Sequence, residues 1–322
     1  MIRATLLNAK DTNTITTMES QANTPNLAHD PKWQRANTLF DGARNSADIA
    51  LVGVPAFETC LSKSAANLTP GAIRAALSRY STYASTNQIE LNGLKFSDLG
   101  DIEKPDQEDG EKRVATFLKD VRKNYKLLIA LGGDNSITYS VTAGLWPDLS
   151  KIGLITLDAH HDLRDGISNG SPVWRLIQGG LPGKNIVQIG ISDFANSKAY
   201  ADRANENGVH VVYRDALRKR PISDVMVEAL DIAGNGGREI YVDLDVDVCD
   251  RSVAPACPAS MPGGISADEL RQVAHIAGSD NRVRAIDITE IDASLDTEDQ
   301  RTVRLAALLV LEAAAGVAKR KS

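Results

Sequence analysis

The chain has 322 residues, of which 43% are hydrophobic and 24% are charged. This composition is that of an ordinary globular protein, so it excludes a collagen-like, low-complexity or wholly disordered chain. With 42 acidic and 36 basic residues, the formal net charge is −6. An acidic chain is poorly suited to bind nucleic acid or an anionic membrane, and we expect neither as a partner.

The sequence contains no stretch that approaches about 18 consecutive apolar residues, and its first 20 residues lack the apolar segment of a signal peptide. We therefore expect a cytoplasmic protein without a membrane span. The three cysteines, Cys60, Cys249 and Cys257, are odd in number and lack metal-knuckle spacing. This pattern argues against a disulfide framework.

Residues 1–45 are rich in Asn, Thr, Gln and Asp and contain no periodic apolar run, so we interpret them as a loosely ordered lead-in. Eight short runs rich in Val and Ile follow, and each is predicted to form a strand. The runs lie at residues 47–55, 94–102, 126–133, 151–160, 185–192, 209–214, 238–248 and 283–292.

Segments in which apolar residues recur with helical spacing lie between these strands. The clearest lie at residues 69–80, 111–123, 221–233, 266–278 and 300–320. Pro70 and Pro221 stand where a first helical turn would begin, and Ser266 with Glu269 forms a capping box. The strand and helix pattern indicates parallel pairing, and runs that are apolar on both faces belong between two helix layers. We therefore predict a single α/β domain over residues 46–322, a three-layer α/β/α sandwich with a mainly parallel eight-stranded sheet.

Two of the predicted strands end in groups of ionisable side chains. The alternation of an extended strand places Asp158, His160 and Asp162 on one face at the first strand end. The second strand end places three acids on one face: Asp243, Asp245 and Asp247. Like charges gathered in this way repel each other, and a bound cation is the usual compensation. Mixed carboxylate and imidazole ligands suit Mn²⁺ better than Zn²⁺ or Fe²⁺, so the pattern predicts a metal hydrolase with two ions.

Three motifs, in this order, resemble the signature of the ureohydrolase superfamily, which contains arginase, agmatinase and formimidoylglutamase. They are GGDNS at 132–136, DAHHD at 158–162, and DVDVCD at 245–250, which a Pro-Gly-Gly turn follows at 262–264. The corresponding superfamily patterns are GGDHS, DAHxD and DxDxxD. The resemblance covers roughly residues 45–318. It implies an arginase-like fold, two Mn²⁺ ions, a small-molecule amidine substrate and a homo-oligomer.

By position, the resemblance implies that Asp158 and Asp245 bridge the two Mn²⁺ ions and are essential for catalysis. It further implies that His160 and Asp247 bind one ion and that Asp162 binds the other.

Two further positions are informative. The remaining ligand of the superfamily is the histidine of GGDHS, and this position is Asn135 here. A neutral amide oxygen is a weaker transition-metal ligand than an imidazole, so we expect Asn135 to weaken one of the two sites. Glu290 matches a catalytic acid that orients the amidine or guanidine nitrogen of the substrate, with a surface glutamate at a strand end as the alternative.

The loop after DAHHD distinguishes the branches of the superfamily. Arginase-like and agmatinase-like members carry a His-Gly pair there, where this chain has Asn169. The corresponding pattern of formimidoylglutamases is DAHxDxR followed by a Ser-Gly-Thr/Ser-like stretch. Arg164 and residues 168–172 resemble this pattern. The resemblance therefore implies four substrate-binding residues: Arg164, Ser168, Asn169 and Ser171. The guanidinium fork of an arginine can bind a carboxylate of N-formimino-glutamate, whereas agmatine has no carboxylate. The alternative role of Arg164 is a salt bridge within the loop, to Asp165 or Asp193.

Three hypotheses follow. The leading one is manganese-dependent hydrolysis of N-formimino-L-glutamate to L-glutamate and formamide. The second is an agmatinase or guanidino-acid hydrolase that releases urea. The third is a catalytically weak or inactive ureohydrolase-like binding subunit, because Asn135 and Asn169 both stand where arginase-like relatives carry an imidazole.

Overall fold

The structure is a computed structural model that describes residues 30–119 and 121–320. The contacts divide the chain into one unit over Met1–Gln34 and a second over Arg35–Ser322, and the second unit contains the fold described below. Most of the predicted lead-in, residues 1–29, lies outside the described residues. Of its remainder, Ala36–Phe40 forms a 3-10 helix.

A parallel sheet of eight strands forms the centre of the second unit, as predicted. In chain order the strands are β1 Ala47–Val54, β2 Phe96–Asp101, β3 Tyr125–Gly132, β4 Ile152–Leu157, β5 Ile186–Ile191, β6 His210–Tyr213, β7 Glu239–Asp245 and β8 Val283–Thr289. Their spatial order is β2-β1-β3-β8-β7-β4-β5-β6, and every neighbouring pair is parallel. All eight predicted runs are therefore strands of one sheet. A short antiparallel pair, Tyr83–Ala84 with Ile89–Glu90, was not predicted.

Eight α-helices lie in the described residues. They are α1 Thr69–Ala76, α2 Gly110–Leu118, α3 Ile137–Leu145, α4 Pro172–Gln178, α5 Lys198–Glu206, α6 Ile222–Ala233, α7 Ala267–Ser279 and α8 Arg301–Val317. The five predicted helices are present, and the Ser266 capping box is formed as expected. The sequence analysis missed α3, α4 and α5. Helix α3 is buried on nearly all sides and so shows no polar face, α4 has only seven residues, and α5 is mostly polar.

The helices cover both faces of the sheet, which confirms the three-layer sandwich. Helices α1, α6, α7 and α8 pack on one face, and α2, α3, α4 and α5 pack on the other. Strand β3 shows why both faces must be covered: Leu127, Ile129 and Leu131 join one core cluster, whereas Leu128 and Ala130 join the other. No helix in the described part of the chain is long and apolar enough to cross a membrane.

Three loops meet at the carboxyl end of the sheet around Gly133. The N–H of Asp134 donates to the carbonyl of Ala56, and the N–H of Glu290 donates to the carbonyl of Gly133. A Cβ atom at position 133 would lie 1.9 Å from the Ala56 carbonyl oxygen, so only glycine permits this approach. The convergence brings the loops after β1, β3 and β8 to the same edge as the loops after β4 and β7.

Candidate metal centre and substrate cavity

The two acidic strand ends lie side by side. Strands β4 and β7 are neighbours, and Leu157 at the end of β4 pairs with Leu244 in β7. The next residue along each chain is therefore Asp158 on one strand and Asp245 on the other. Parallel pairing places both carboxylates at the same edge of the sheet, where ligands of such sheets bind.

Two groups of side chains have ligand atoms close enough to hold an ion. In each group these atoms lie within 4.8 Å of one another. The first group contains Asp158, His160 and Asp247, and the second contains Asp158, Asp162 and Asp245. Asp158 is thus common to both, whereas Asp245 belongs to one. The structure brings five predicted ligands together in two adjoining groups.

The route by which these side chains converge differs from the prediction. Strand β4 ends at Leu157 and β7 ends at Asp245, so Asp158, His160, Asp162 and Asp247 do not lie on a strand face. A loop carries the first three, and the backbone at Asp162 has φ of 52°, in the left-handed region. The predicted strand alternation was therefore wrong beyond the strand ends, because the chain turns there.

Local hydrogen bonds shape both loops. The Asp158 Oδ1 atom accepts from the backbone N–H of His160 at 2.6 Å, and Asp245 Oδ1 accepts in the same way from Asp247 at 2.8 Å. His160 Nδ1 lies 2.9 Å from Asp247 Oδ2 and 3.4 Å from Asp158 Oδ1. Each carboxylate therefore uses one oxygen for its own loop, and Asp158 Oδ2 is buried with no hydrogen-bond partner among the described residues.

The electrostatics of the cluster indicate a shortage of positive charge. Burial and the charge of Asp247 raise the pKa of Asp158 to about 7, and burial with neighbouring carboxylates raises the pKa of Asp162 and Asp245 well above the usual range. Burial lowers the pKa of His160, but the Asp247 and Asp158 carboxylates outweigh it and raise that pKa. Buried carboxylates that cannot all ionise are stabilised by a divalent cation, so the residues fit a metal centre.

Asn135 lies at the edge of the second group. Its side-chain amide donates to Asp162 Oδ2 at 2.6 Å, and its side-chain oxygen accepts from the hydroxyl groups of Thr138 and Thr289. In this orientation the nitrogen, not the oxygen, faces the cluster. Asp134 is held away from it by hydrogen bonds from Thr59 and Ser136.

Glu290 lies beside the cluster and is held in a defined orientation. Its Oε1 atom accepts from the backbone N–H of Asn135 at 2.8 Å and from the side-chain amide of Asn169 at 2.9 Å. The backbone at Glu290 has φ of 61°, an uncommon value for a residue with a side chain. Burial and the charge of Asp134 raise the pKa of Glu290 to about 8. A cationic group that enters the cavity would therefore favour the ionised carboxylate.

A cavity of about 420 Å³ opens over this cluster. It is lined by seven residues that were predicted from the sequence: His160, Asp162, Arg164, Asn169, Asp245, Asp247 and Glu290. Asn196, Ser197 and Tyr200, from the loop after β5 and the start of α5, also line it and were not predicted. This part of the sequence carries no motif, so only the adjacency of β5 to β4 could have indicated it.

Arg164 lies at the exposed rim of the cavity. Its guanidinium group has no carboxylate partner in residues 30–119 and 121–320, and it lies 6.0 Å from the centre of the Tyr200 ring. Asp165, one of the two alternative partners, pairs instead with Arg203 at 2.9 Å. Gly170 leaves room for the stem, because a Cβ atom there would lie 2.8 Å from Arg164 Cδ. Arg164 is thus free to bind an acidic ligand.

Ser168 and Ser171 have a different placement from Asn169. The Ser171 hydroxyl accepts from the backbone N–H of Ser168 and donates to the carbonyl of Ser168, and the Ser171 side chain is fully buried. Neither serine lines the cavity. The Ser171 side chain therefore closes the turn that presents Asn169, and direct contact of either serine with a substrate stays a prediction. His161 also points away from the cluster, towards Gln188 at 2.7 Å.

Comparison with known proteins identifies the family and supports the fold. The arginase family model matches residues 47–316. Formimidoylglutamase from Halalkalibacterium halodurans is 36% identical over 282 residues, 84% of this chain and 88% of that protein. Formimidoylglutamase from Bacillus subtilis is 33% identical over 285 residues, 83% of this chain and 86% of that protein. The crystal structure of formimidoylglutamase from Bacillus subtilis superposes with a TM-score of 0.86 at 30% identity and covers 91% of this chain and 94% of that chain. The chain belongs to the arginase family.

Proposed function

We propose that this protein is a metal-dependent formimidoylglutamase that hydrolyses N-formimino-L-glutamate to L-glutamate and formamide. The observation that carries the proposal is the composition of one cavity, which joins the ligand cluster and Glu290 to the free guanidinium of Arg164. An amidine substrate with a carboxylate would match both ends of that cavity. The relatives with this activity support the same choice.

The metal ligands are proposed from the two groups already described. Asp158 would be shared, His160 and Asp247 would complete one site, and Asp162 with Asp245 would form the other, beside Asn135. Carboxylate and imidazole ligands favour Mn²⁺. When bound, the ions supply Lewis acidity, which lowers the pKa of water and stabilises charge that develops on the substrate.

The reaction adds water to the formamidine carbon and breaks its bond to the glutamate nitrogen. That nitrogen gains a proton and leaves as the amino group of glutamate, and the remainder is formamide. The Glu290 carboxylate would accept a hydrogen bond from an N–H group of the protonated amidine. The hydrogen bonds that Asn135 and Asn169 donate to Glu290 fix the direction in which this carboxylate points. Positioning of the reacting groups in this way contributes to the rate.

Arg164 would bind a carboxylate of the substrate. A guanidinium fork forms two parallel hydrogen bonds to a carboxylate, and the side chain has no competing partner among the described residues. Binding there would anchor the glutamate end of the substrate while the formamidine end lies over the ligand cluster. We further propose that the protein acts in the cytoplasm as a homo-oligomer.

The substrate assignment is tested with protein reconstituted with Mn²⁺ and a panel of N-formimino-L-glutamate, agmatine and guanidino acids. We expect formamide release from N-formimino-L-glutamate at a kcat/KM about tenfold or more above that for urea release from agmatine. Agmatine ends in an ammonium group, which cannot pair with the Arg164 guanidinium, and one such lost contact is worth roughly this factor. Preference for agmatine would favour the second hypothesis, and no hydrolysis at full Mn²⁺ content would favour the inactive subunit.

The two ion sites are expected to be unequal, because Asn135 stands where an imidazole would bind more strongly. Titration with Mn²⁺, followed by electron paramagnetic resonance of the free ion, should resolve one tight and one weak site. Asn135→His should tighten the weak site by about tenfold or more, since even the partners of metal ligands change affinity on this scale. The tight site serves as the internal control. Equal affinities in the native protein would contradict the assignment.

A further inference from the structure

A buried polar layer lies directly beneath Asn135. It consists of the hydroxyl groups of Thr138 and Thr289 and the carboxyl groups of Asp243 and Asp287, all of which are buried. Thr138 lies in the first turn of α3. Thr289 and Asp287 lie on β8, and Asp243 lies on the neighbouring β7. The layer therefore joins three elements below the candidate metal centre.

Each threonine hydroxyl in this layer faces two acceptors. Thr138 Oγ1 lies 2.8 Å from Asn135 Oδ1 and 2.7 Å from Asp287 Oδ2. Thr289 Oγ1 lies 3.0 Å from Asn135 Oδ1 and 3.4 Å from Asp243 Oδ1. A hydroxyl group has a single hydrogen, so neither threonine can donate to both neighbours at once.

The buried acids have few other donors. Asp287 Oδ2 accepts from the Tyr241 hydroxyl at 2.6 Å, but Asp287 Oδ1 and Asp243 Oδ2 have no hydrogen-bond partner among the described residues. A buried carboxylate without donors is costly. With the Asn135 oxygen facing downward, a threonine hydrogen that is donated to the carboxamide is not available to the acid beneath that threonine.

Rotation of the Asn135 carboxamide by half a turn removes this conflict. Its NH₂ group would then donate to both threonine oxygens, and both hydroxyl hydrogens would be free to reach Asp287 and Asp243. The carbonyl oxygen would face Asp162, where the amide nitrogen now donates at 2.6 Å. Two oxygens in contact repel each other unless a proton or a cation lies between them. The backbone need not move, because the N–H of Asn135 is held by Glu290 at 2.8 Å.

We propose that Thr138 and Thr289 are positioning residues that hold the Asn135 carboxamide with its oxygen towards the ligand cluster when a divalent cation is bound. The inference rests on the proposed metal-dependent function. It explains how a side chain whose nitrogen donates to Asp162 in this structure could serve as a ligand: with the carboxamide rotated, the threonine oxygens would accept the amide hydrogens and the carbonyl oxygen would be presented to the cation. The two threonine hydroxyl groups then donate hydrogen bonds to the carboxyl groups of Asp287 and Asp243 beneath them.

The test compares Thr138→Val, which removes the hydroxyl at nearly constant volume, with Thr138→Ser, which keeps it. We expect Thr138→Val to weaken the weak Mn²⁺ site by about tenfold, the scale on which partners of metal ligands act. Thr138→Ser should retain native affinity, and the site of His160 and Asp247 should stay unchanged in both. Thr289→Val provides a second variant with a smaller effect in the same direction.

A double-mutant cycle separates positioning from a general structural role. In an Asn135→Ala background no carboxamide remains to be oriented, and the carboxylates of Asp158, Asp162 and Asp245 keep the site measurable. Thr138→Val should then cause no further loss of Mn²⁺ affinity. An equal loss in both backgrounds, or native affinity in both valine variants, would overturn the inference while the proposed function stands. Native protein that binds fewer than two Mn²⁺ ions would contradict both.

Discussion

Asp158→Asn is expected to abolish metal-dependent hydrolysis, with a fall in kcat of at least about a thousandfold. Asp158 is the side chain common to both ligand groups, so its replacement weakens both ion sites together. The loss follows because the ions contribute several kcal/mol of transition-state stabilisation, and each 1.4 kcal/mol is a factor of ten. Asp245→Asn should have a similar effect on activity. Metal content and formamide release are the measurements.

The same substitutions should leave the metal-free protein folded. Asp158 Oδ1 accepts from the His160 N–H and Asp245 Oδ1 accepts from the Asp247 N–H, and an asparagine oxygen can keep either bond. Burial and like charges raise the pKa of both carboxyl groups, so their ionised forms oppose folding in the absence of a cation. We therefore expect the metal-free variants to melt at or above the native Tm. The rise in Tm that Mn²⁺ causes in the native protein should be lost.

Asp250→Asn is the matched control. Asp250 belongs to the same motif, but its carboxylate accepts from Ser252 and Gly263 in the following loop and is in neither ligand group. This variant should keep full metal content and rate. Native Mn²⁺ content and rate in Asp158→Asn and Asp245→Asn would show that the ligand assignment is wrong.

The sequence was sufficient to predict at which edge of the sheet the candidate site lies, because the acidic motifs follow the carboxyl ends of predicted strands. Val- and Ile-rich runs predicted the strands, parallel pairing put their carboxyl ends at one edge, and the acids of DAHHD and DVDVCD follow two of those ends. The neighbouring positions of β4 and β7 then bring Asp158 next to Asp245. No side-chain detail was needed for this part of the prediction.

The details beyond the strand ends depend on contacts that the sequence does not show. The strand alternation could not reveal that the chain turns after Leu157 or that Asp162 has positive φ. The orientation of the Asn135 side-chain amide depends on the nearby Thr138 and on Thr289, which comes from the distant strand β8. Similarly, the burial of Ser171 in its own turn follows from the packing of α4 and not from the motif that contains it.

Arg164→Met tests the substrate. If the substrate carries carboxylates, a cation near the ligand cluster must bind one, and Arg164 is the only Arg or Lys among the described residues that line this cavity. Loss of a charge-assisted pair costs about 1.5 to 3 kcal/mol, so KM for N-formimino-L-glutamate should rise roughly 10- to 150-fold with a smaller change in kcat. Methionine keeps most of the stem that packs against Gly170.

Two controls make the Arg164 experiment decisive. Lys198→Met removes the same charge at the start of α5, next to Ser197 at the cavity wall, but Lys198 is exposed and pairs with Asp202, so KM should stay close to the native value. Agmatine, which has no carboxylate, should be a poor substrate of the native protein and should lose nothing further in Arg164→Met. An unchanged KM for N-formimino-L-glutamate in Arg164→Met, or an equal loss in Lys198→Met, would remove Arg164 from substrate binding. Among the described residues that line the cavity, no Arg or Lys would then remain to select a carboxylate, and the preference for N-formimino-L-glutamate over other amidines would lose its structural basis.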